Sequence, residues 1–180
     1  ISCGQIALRR AGIEYTHYYA SEINKYAIKV TMSNFPETIQ LGDVLKIATI
    51  QDDIDLLLGG SPCQGFSFAG NQLNFNDPRS TLLFEFIKFM DTVKPKYFLL
   101  ENVPMKKEYI HIINELIGVK SIKINSSLVS AQNRVRLYWT NIPFQPIKDR
   151  CIQLSDIIGP YNGIWVWPRG YNSGGIKNYK

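Results

Sequence analysis

Cys63 lies in Gly59-Gly60-Ser61-Pro62-Cys63-Gln64-Gly65-Phe66-Ser67, directly after the apolar run Leu56-Leu57-Leu58. The run reads as a buried strand ended by the glycines, and Pro62 stiffens the turn beside the thiol. In an open α/β sheet, ligands collect beyond the carboxyl ends of strands, so this turn would offer a nucleophile where a substrate binds. A lone cysteine is more often a small buried hydrophobe, and only its place in a glycine-flanked turn separates it from that role. Glu22 and Asp43 stand at the ends of two earlier strand-like runs. Such a pair suits a nucleoside cofactor, one carboxylate for the ribose hydroxyls and one for the exocyclic amine. Each taken singly would serve equally well as a helix cap. Glu101 follows Tyr97-Phe98-Leu99-Leu100, where a carboxylate is partly desolvated and suited to acid chemistry, or is paired with a lysine such as Lys106. In Gln132-Asn133-Arg134-Val135-Arg136 the two arginines share one strand face, with Val135 and Leu137 turned to the core. That face suits a phosphate or a base carbonyl, although a solvated edge strand could carry the same pair.

The elements that must position these groups follow from periodicity. Gln5 to Gly12 reads as a short helix closed by glycine. Tyr15 to Ala20 reads as a strand, and Ile23 to Asn34 as a helix with Ala27 and Val30 inward. Leu41-Gly42-Asp43-Val44 is a strand end or turn, and Ile54 to Leu58 a strand. Phe66 to Ser80 is rich in Gly, Asn, Ser and Asp without periodicity, the composition of a binding loop or a surface excursion. Leu82, Leu83, Phe86, Phe89, Met90 and Val93 repeat at helical spacing and predict a core-facing helix. A strand over Lys96 to Leu100, a helix through Tyr109, Ile112, Ile113 and Leu116, and strands around Ile122 and Val135 to Trp139 complete the series. Strands alternating with helices predict an α/β fold, a three-layer αβα sandwich on a mostly parallel sheet.

The 180 residues fit one domain, and 45% hydrophobic content with 12% aromatics excludes a disordered chain. A net charge of +5 favours an anionic partner, nucleic acid first. Three widely spaced cysteines and two histidines, His17 and His111, argue against a disulfide framework or a metal centre and favour a reducing cytosol. No apolar run approaches the ~20 residues a membrane span needs.

Together these residues resemble the DNA cytosine-5 methyltransferases, in the bacterial and phage style. Four motifs stand in the family's order: the tail of the glycine-rich first motif (Ile1 to Gly4, then Gln5 to Leu8), the Pro-Cys loop, Glu101-Asn102-Val103, and Gln132-x-Arg134-x-Arg136. The resemblance implies a Rossmann-like S-adenosylmethionine-dependent fold and base flipping. It gives catalytic roles to Cys63, Glu101, Arg134 and Arg136. It implies cofactor contacts from Ile1, Ser2, Cys3, Gly4, Glu22, Ile23, Asp43, Val44, Pro62 and Leu82. Contacts to the DNA are implied for Gln64, Ser67, Asn102, Gln132 and Arg169. The cofactor would be S-adenosyl-L-methionine, leaving as S-adenosyl-L-homocysteine, with no metal.

The family's first strand would precede Ile1 and its last two motifs would follow Lys180. The chain therefore resembles a catalytic domain over 1–158 and the opening of a target-recognition region over 159–180. The resemblance further implies a monomer acting on double-stranded DNA in the cytoplasm of a bacterial or phage-infected cell, with no membrane partner. A tRNA cytosine-5 methyltransferase, a catalytically inactive scaffold and a dinucleotide-dependent oxidoreductase are the alternatives. The last leaves Cys63 and the Gln132–Arg136 strand without a role.

Overall fold

The computed structural model describes residues 1–47, 50–60 and 81–158. They fall into two units, one of Ile1–Asn125 with Arg134–Pro146, the other of Ser126–Asn133 with the segment from Ile147 on.

The first unit opens with helix α1 (Cys3–Ala11). Gly12 ends it in the left-handed region at φ 67°, its N–H returning to the Arg9 and Leu8 carbonyls. Strand β1 is only Tyr19–Ala20, because a ladder exists only where β2 (Ile39–Gln40) lies alongside in parallel. The expected strand over Tyr15–Ala20 is shortened accordingly. Helix α2 (Lys25–Asn34) starts at Asn24, whose side chain accepts from Tyr26 N and Ala27 N. Its inward residue is Thr31, and Val30, expected inside, is 43% exposed.

Strands β3 (Leu56–Gly60), β4 (Tyr97–Asn102), β5 (Ile122–Asn125) and β6 (Val135–Thr140) form a second sheet in the order β3-β4-β6-β5. β3 and β4 run parallel, and β6 runs antiparallel to both β4 and β5. Strands β3, β4 and β5 therefore run one way and β6 alone the other, a mixed sheet with most strands in one direction. Only nine residues separate β5 from β6, fewer than the dozen or so that a parallel crossover requires.

Helices α3 (Thr81–Val93) and α4 (Lys107–Ile117) pack on one face of this sheet. Leu83 and Phe86 of α3, Phe98 and Leu100 of β4, Ile113 and Ile117 of α4, and Leu137 and Trp139 of β6 make the core. Complete burial of a Leu or Ile side chain contributes about 1.5–3 kcal/mol, and Leu83, Leu100 and Ile113 are all fully enclosed. On α4 the expected stripe is displaced by one position, leaving Ile112 and Leu116 38% and 45% exposed. Trp139 Nε1 donates to Asn114 Oδ1 at 2.7 Å, and the same oxygen accepts from Ser121 N at 3.1 Å. That one amide ties α4, the turn after it and β6 together.

The second unit contains a 3-10 turn (Ser126–Leu128) and a short helix α5 (Leu154–Ile158). Arg150 N donates to the Leu128 carbonyl at 2.9 Å, joining its two chain segments.

Candidate active site

Sheet register assembles the first part of the site. Gly60, the last residue of β3, pairs with Glu101 on β4, and Glu101 pairs with Tyr138 on β6. Directly paired strand residues point to the same face, and residues two apart along a strand do likewise. Glu101, Arg136 and Tyr138 therefore share the face opposite the Leu100–Leu137–Trp139 core. Because β6 runs against β4, the start of one meets the end of the other, which brings Arg136 to the carboxyl edge of β3 and β4.

Arg136 Nε stands 2.7 Å from Glu101 Oε1, with the two side chains 18% and 33% exposed. The guanidinium N–H does not point along that line, since Nε has no directed hydrogen-bond partner. The contact is therefore ionic in character, and Arg136 Nη1 is separately fixed by donating to the Val135 carbonyl at 2.8 Å. Arg136, not Lys106, is the partner of Glu101. A Cβ added at Gly60 would lie 3.5 Å from Glu101 Oε2, so the glycine leaves open space beside the carboxylate. Burial pushes the Tyr138 hydroxyl up, the Glu101 charge adding to the rise and Arg136 and Arg134 opposing it. Tyr138 was not singled out from the sequence, although its place two residues beyond Arg136 puts it on the same face.

The second part lies at the carboxyl ends of β1 and β2. Ser21 Oγ donates to the Gly42 carbonyl at 2.8 Å, joining the loops that carry Glu22 and Asp43. Glu22 Oε1 accepts from Ile23 N and Asn24 N at 2.9 and 2.8 Å. Asp43 Oδ1 accepts from Leu45 N at 3.1 Å and starts the 3-10 turn Val44–Lys46. Both acids are thus backbone caps, and each uses one carboxylate oxygen for that purpose. The other oxygen of each has no partner among the described residues, and Ile23 beside Glu22 is 76% exposed. Two carboxylate oxygens and an uncovered aliphatic side chain on adjoining loops fit the ribose, amine and ring of an adenosine.

At the start of α1, Ser2 holds a left-handed backbone (φ 57°, ψ 41°). A Cβ on Gly4 would come within 2.5 Å of both Leu58 Cδ1 and the Tyr18 hydroxyl. Helix α1 therefore begins close against β3 on one side and the approach to β1 on the other, and a side chain at position 4 would require Leu58 and Tyr18 to shift. Ile1 and Cys3 are exposed, and Leu82 is half-buried on α3. A cavity of about 480 Å³ is lined by Val44, Leu45, Ile47, residues 50–53 and α3, and of the predicted site residues among those described only Val44 lines it. It is not where Glu101 and Arg136 meet.

Asn102 departs from expectation. It is 2% exposed, its Oδ1 accepts from Val103 N at 2.8 Å, and it faces the core side of β4. It shapes the turn behind the site and offers no surface for DNA. Arg134 is exposed, its backbone N–H donating to Asn125 Oδ1 at 3.0 Å. In the second unit Gln132 is exposed, with its carbonyl accepting from Ser126 Oγ at 2.6 Å. Cys63, Pro62, Gln64, Ser67 and Arg169 lie outside the described residues. Among the described residues no cluster of three or more His, Cys, Asp or Glu could hold a metal ion. No described helix is long and apolar enough to cross a membrane.

The family model for C-5 cytosine-specific DNA methylases matches residues 1–118. The chain belongs to that family. It is 36% identical over 163 residues to the orphan methyltransferase M.SPRI of Bacillus phage SPR, covering 83% of this chain and 37% of the relative. It is 35% identical over 153 residues to the type II methyltransferase M.NlaIV of Neisseria lactamica, covering 74% and 36%. The crystal structure of a DNA modification methyltransferase encoded within an Escherichia coli prophage superposes with a TM-score of 0.58. The two are 27% identical, over 73% of this chain and 40% of that one. This C-5 methylase chain thus spans little more than a third of the length of these relatives.

Proposed function

We propose that this chain is the catalytic core of a DNA cytosine-5 methyltransferase, acting through a bond between Cys63 and the target base. The observation that carries the reading is the Glu101–Arg136 pair, which meets at the carboxyl edge of β3 beside Gly60, three residues ahead of Cys63. Helices α3 and α4 on one sheet face, and Gly4 of α1 against Leu58 on the other, support a three-layer methyltransferase sandwich.

Carbon 6 of cytosine is a poor electrophile, so the ring must be polarised while it is attacked. The Cys63 thiolate adds to carbon 6, and the electron pair displaced from the ring double bond makes carbon 5 nucleophilic. Glu101 grips ring nitrogen 3 and the exocyclic amine, stabilising the charge that collects there. Arg136 orients Glu101 and, with Arg134, holds the base carbonyl. Once carbon 5 carries the methyl group, its proton leaves, the carbon–sulfur bond breaks and the thiolate is restored. The target cytosine must first be flipped from the duplex.

S-adenosylmethionine, when bound, supplies the electrophilic methyl group. Glu22 holds its ribose hydroxyls, Asp43 its adenine amine, and Ile23, Val44, Pro62 and Leu82 pack on the ring. The chain from Ile1 to Gly4 meets the methionine end. Residues 159–180 open the target-recognition region, and Arg169, Gln64, Ser67 and Gln132 contact DNA. The enzyme acts as a monomer in the cytoplasm of a bacterial or phage-infected cell.

Covalent capture tests this reading. Duplex DNA containing 5-fluorocytosine is incubated with the protein and S-adenosylmethionine; fluorine cannot leave as a proton does, so the adduct persists. A denaturant-stable adduct that disappears in Cys63→Ala is expected. Capture of fluorinated tRNA but not DNA would move the substrate to tRNA, and capture of neither would remove the catalytic reading.

A further inference from the structure

Gln5, on α1, is a polar side chain with no accessible surface. Its Oε1 accepts from Ser2 Oγ and, at 3.0 Å, from Thr38 Oγ1; its Nε2 donates to the Tyr15 hydroxyl at 2.9 Å. Thr38, 4% exposed, immediately precedes β2. One amide therefore links the start of α1, the approach to β1 and the entry to β2, the three elements that carry the proposed cofactor contacts.

The arrangement around Ser2 is unusual for its sequence. Ser2-Cys3-Gly4-Gln5 has the spacing of a capping box, in which the serine hydroxyl would accept from the backbone N–H of the third helical residue. Here Ser2 makes no side-chain cap. Its hydroxyl is drawn to the Gln5 side chain instead. Its backbone sits in the left-handed region, which costs a non-glycine residue about 1–2 kcal/mol and persists only where surrounding structure holds it. The diversion leaves the first backbone donors of α1 without a side-chain acceptor from their own helix.

We infer that Gln5 is a positioning residue for cofactor binding: it holds Ser2 out of the capping position, so that the turn from Ile1 to Gly4 stays open to the methionine end of S-adenosylmethionine. The inference rests on the cofactor reading above. Without Gln5, Ser2 relaxes to an extended cap, its hydroxyl covers the N–H groups at the head of α1, and the turn closes on itself.

Calorimetric titration with S-adenosylhomocysteine, alongside thermal unfolding, separates this role from ordinary packing. Gln5→Met removes the acceptor and strands the Thr38 hydroxyl, and should lower both the melting temperature and the affinity. Adding Thr38→Val removes the stranded donor, so stability recovers, since replacing both partners of a buried hydrogen bond by apolar groups is close to neutral. Affinity in that double variant should remain about tenfold below wild type, the scale of one lost hydrogen bond of this kind. Affinity recovering together with stability would reduce Gln5 to a packing role and overturn the proposal. Adding Ser2→Ala to Gln5→Met gives a second test: with no hydroxyl left to cover the head of α1, affinity should recover toward wild type, and affinity remaining as low as in Gln5→Met alone would overturn the proposal. Wild-type protein that binds no S-adenosylhomocysteine would instead remove the cofactor reading and this inference with it.

Discussion

Replacing Arg136 by Met keeps the length and apolar stem of the side chain and removes only the charge facing Glu101. At the observed 2.7 Å, the attraction between unit charges at an effective dielectric near 20 is about 6 kcal/mol before desolvation is counted. Most of that is offset by the hydration both groups surrender, and exposures of 18% and 33% place the pair between a surface bridge and an enclosed one. Surface pairs contribute about 0–1 kcal/mol and breaking an enclosed pair costs about 3–5, so Arg136→Met should destabilise by about 1–3 kcal/mol. The assay is urea unfolding of wild type, Arg136→Met, Glu101→Gln and the double variant. Each single change leaves the other group stranded, whereas the double does not, so the double variant should be more stable than the two single losses predict by about 1–2 kcal/mol. The excess should shrink as salt is raised. A coupling below about 0.3 kcal/mol, within the additivity expected of independent sites, would refute the claim that this ion pair organises the site. Arg136→Lys should not restore the coupling, because an ammonium cannot face Glu101 while also holding the Val135 carbonyl as Arg136 Nη1 does.

Gly59→Ala should cost about 1–3 kcal/mol through overpacking, because the new methyl would fall on the edge of the Phe86 ring, which is 9% exposed and cannot swing clear. Urea unfolding should show the loss and Phe86→Leu should relieve it; an undiminished midpoint for Gly59→Ala alone would contradict the packing described for β3. A third prediction concerns pH. The Tyr19 hydroxyl donates to Asp52 Oδ2 at 2.6 Å and His17 Nδ1 lies 3.0 Å away, and these partners, Tyr19 first, hold the Asp52 carboxyl below its ordinary 3.8. A lowered folded-state value means this tether is intact above the ordinary value and is lost as pH falls through the lowered one. Between about pH 6 and pH 2.5, wild type should therefore lose more melting temperature than Asp52→Asn, and identical slopes would show that the tether contributes nothing.

Local chemistry was legible without the fold. Glycines at positions 12 and 118 end their helices in the left-handed region, as their side-chain-free backbones allow. The period-two alternation of β6 separates Arg136 from Leu137 and Trp139, and the structure keeps that division. Of the two readings of Glu22 and Asp43, the structure shows the local one: each accepts backbone N–H groups of its following turn with one oxygen.

What the chain could not disclose by itself were outcomes that depend on distant partners. Ile112, Ile113, Leu116 and Ile117 are equally apolar, so only packing against β4 and β6 decided which two face the core. Glu101 has Lys106 five positions away in sequence, yet the antiparallel insertion of β6 beside β4 delivers Arg136 from 35 positions away. Nothing local to Gln5 marks it as buried, and Tyr15 and Thr38 converge on it only in the fold. Helix caps and strand alternation are encoded within a few residues, where backbone geometry alone sets which groups can meet. The polarity of a buried site is not, because it arises only when strand order brings remote groups together and removes the water between them.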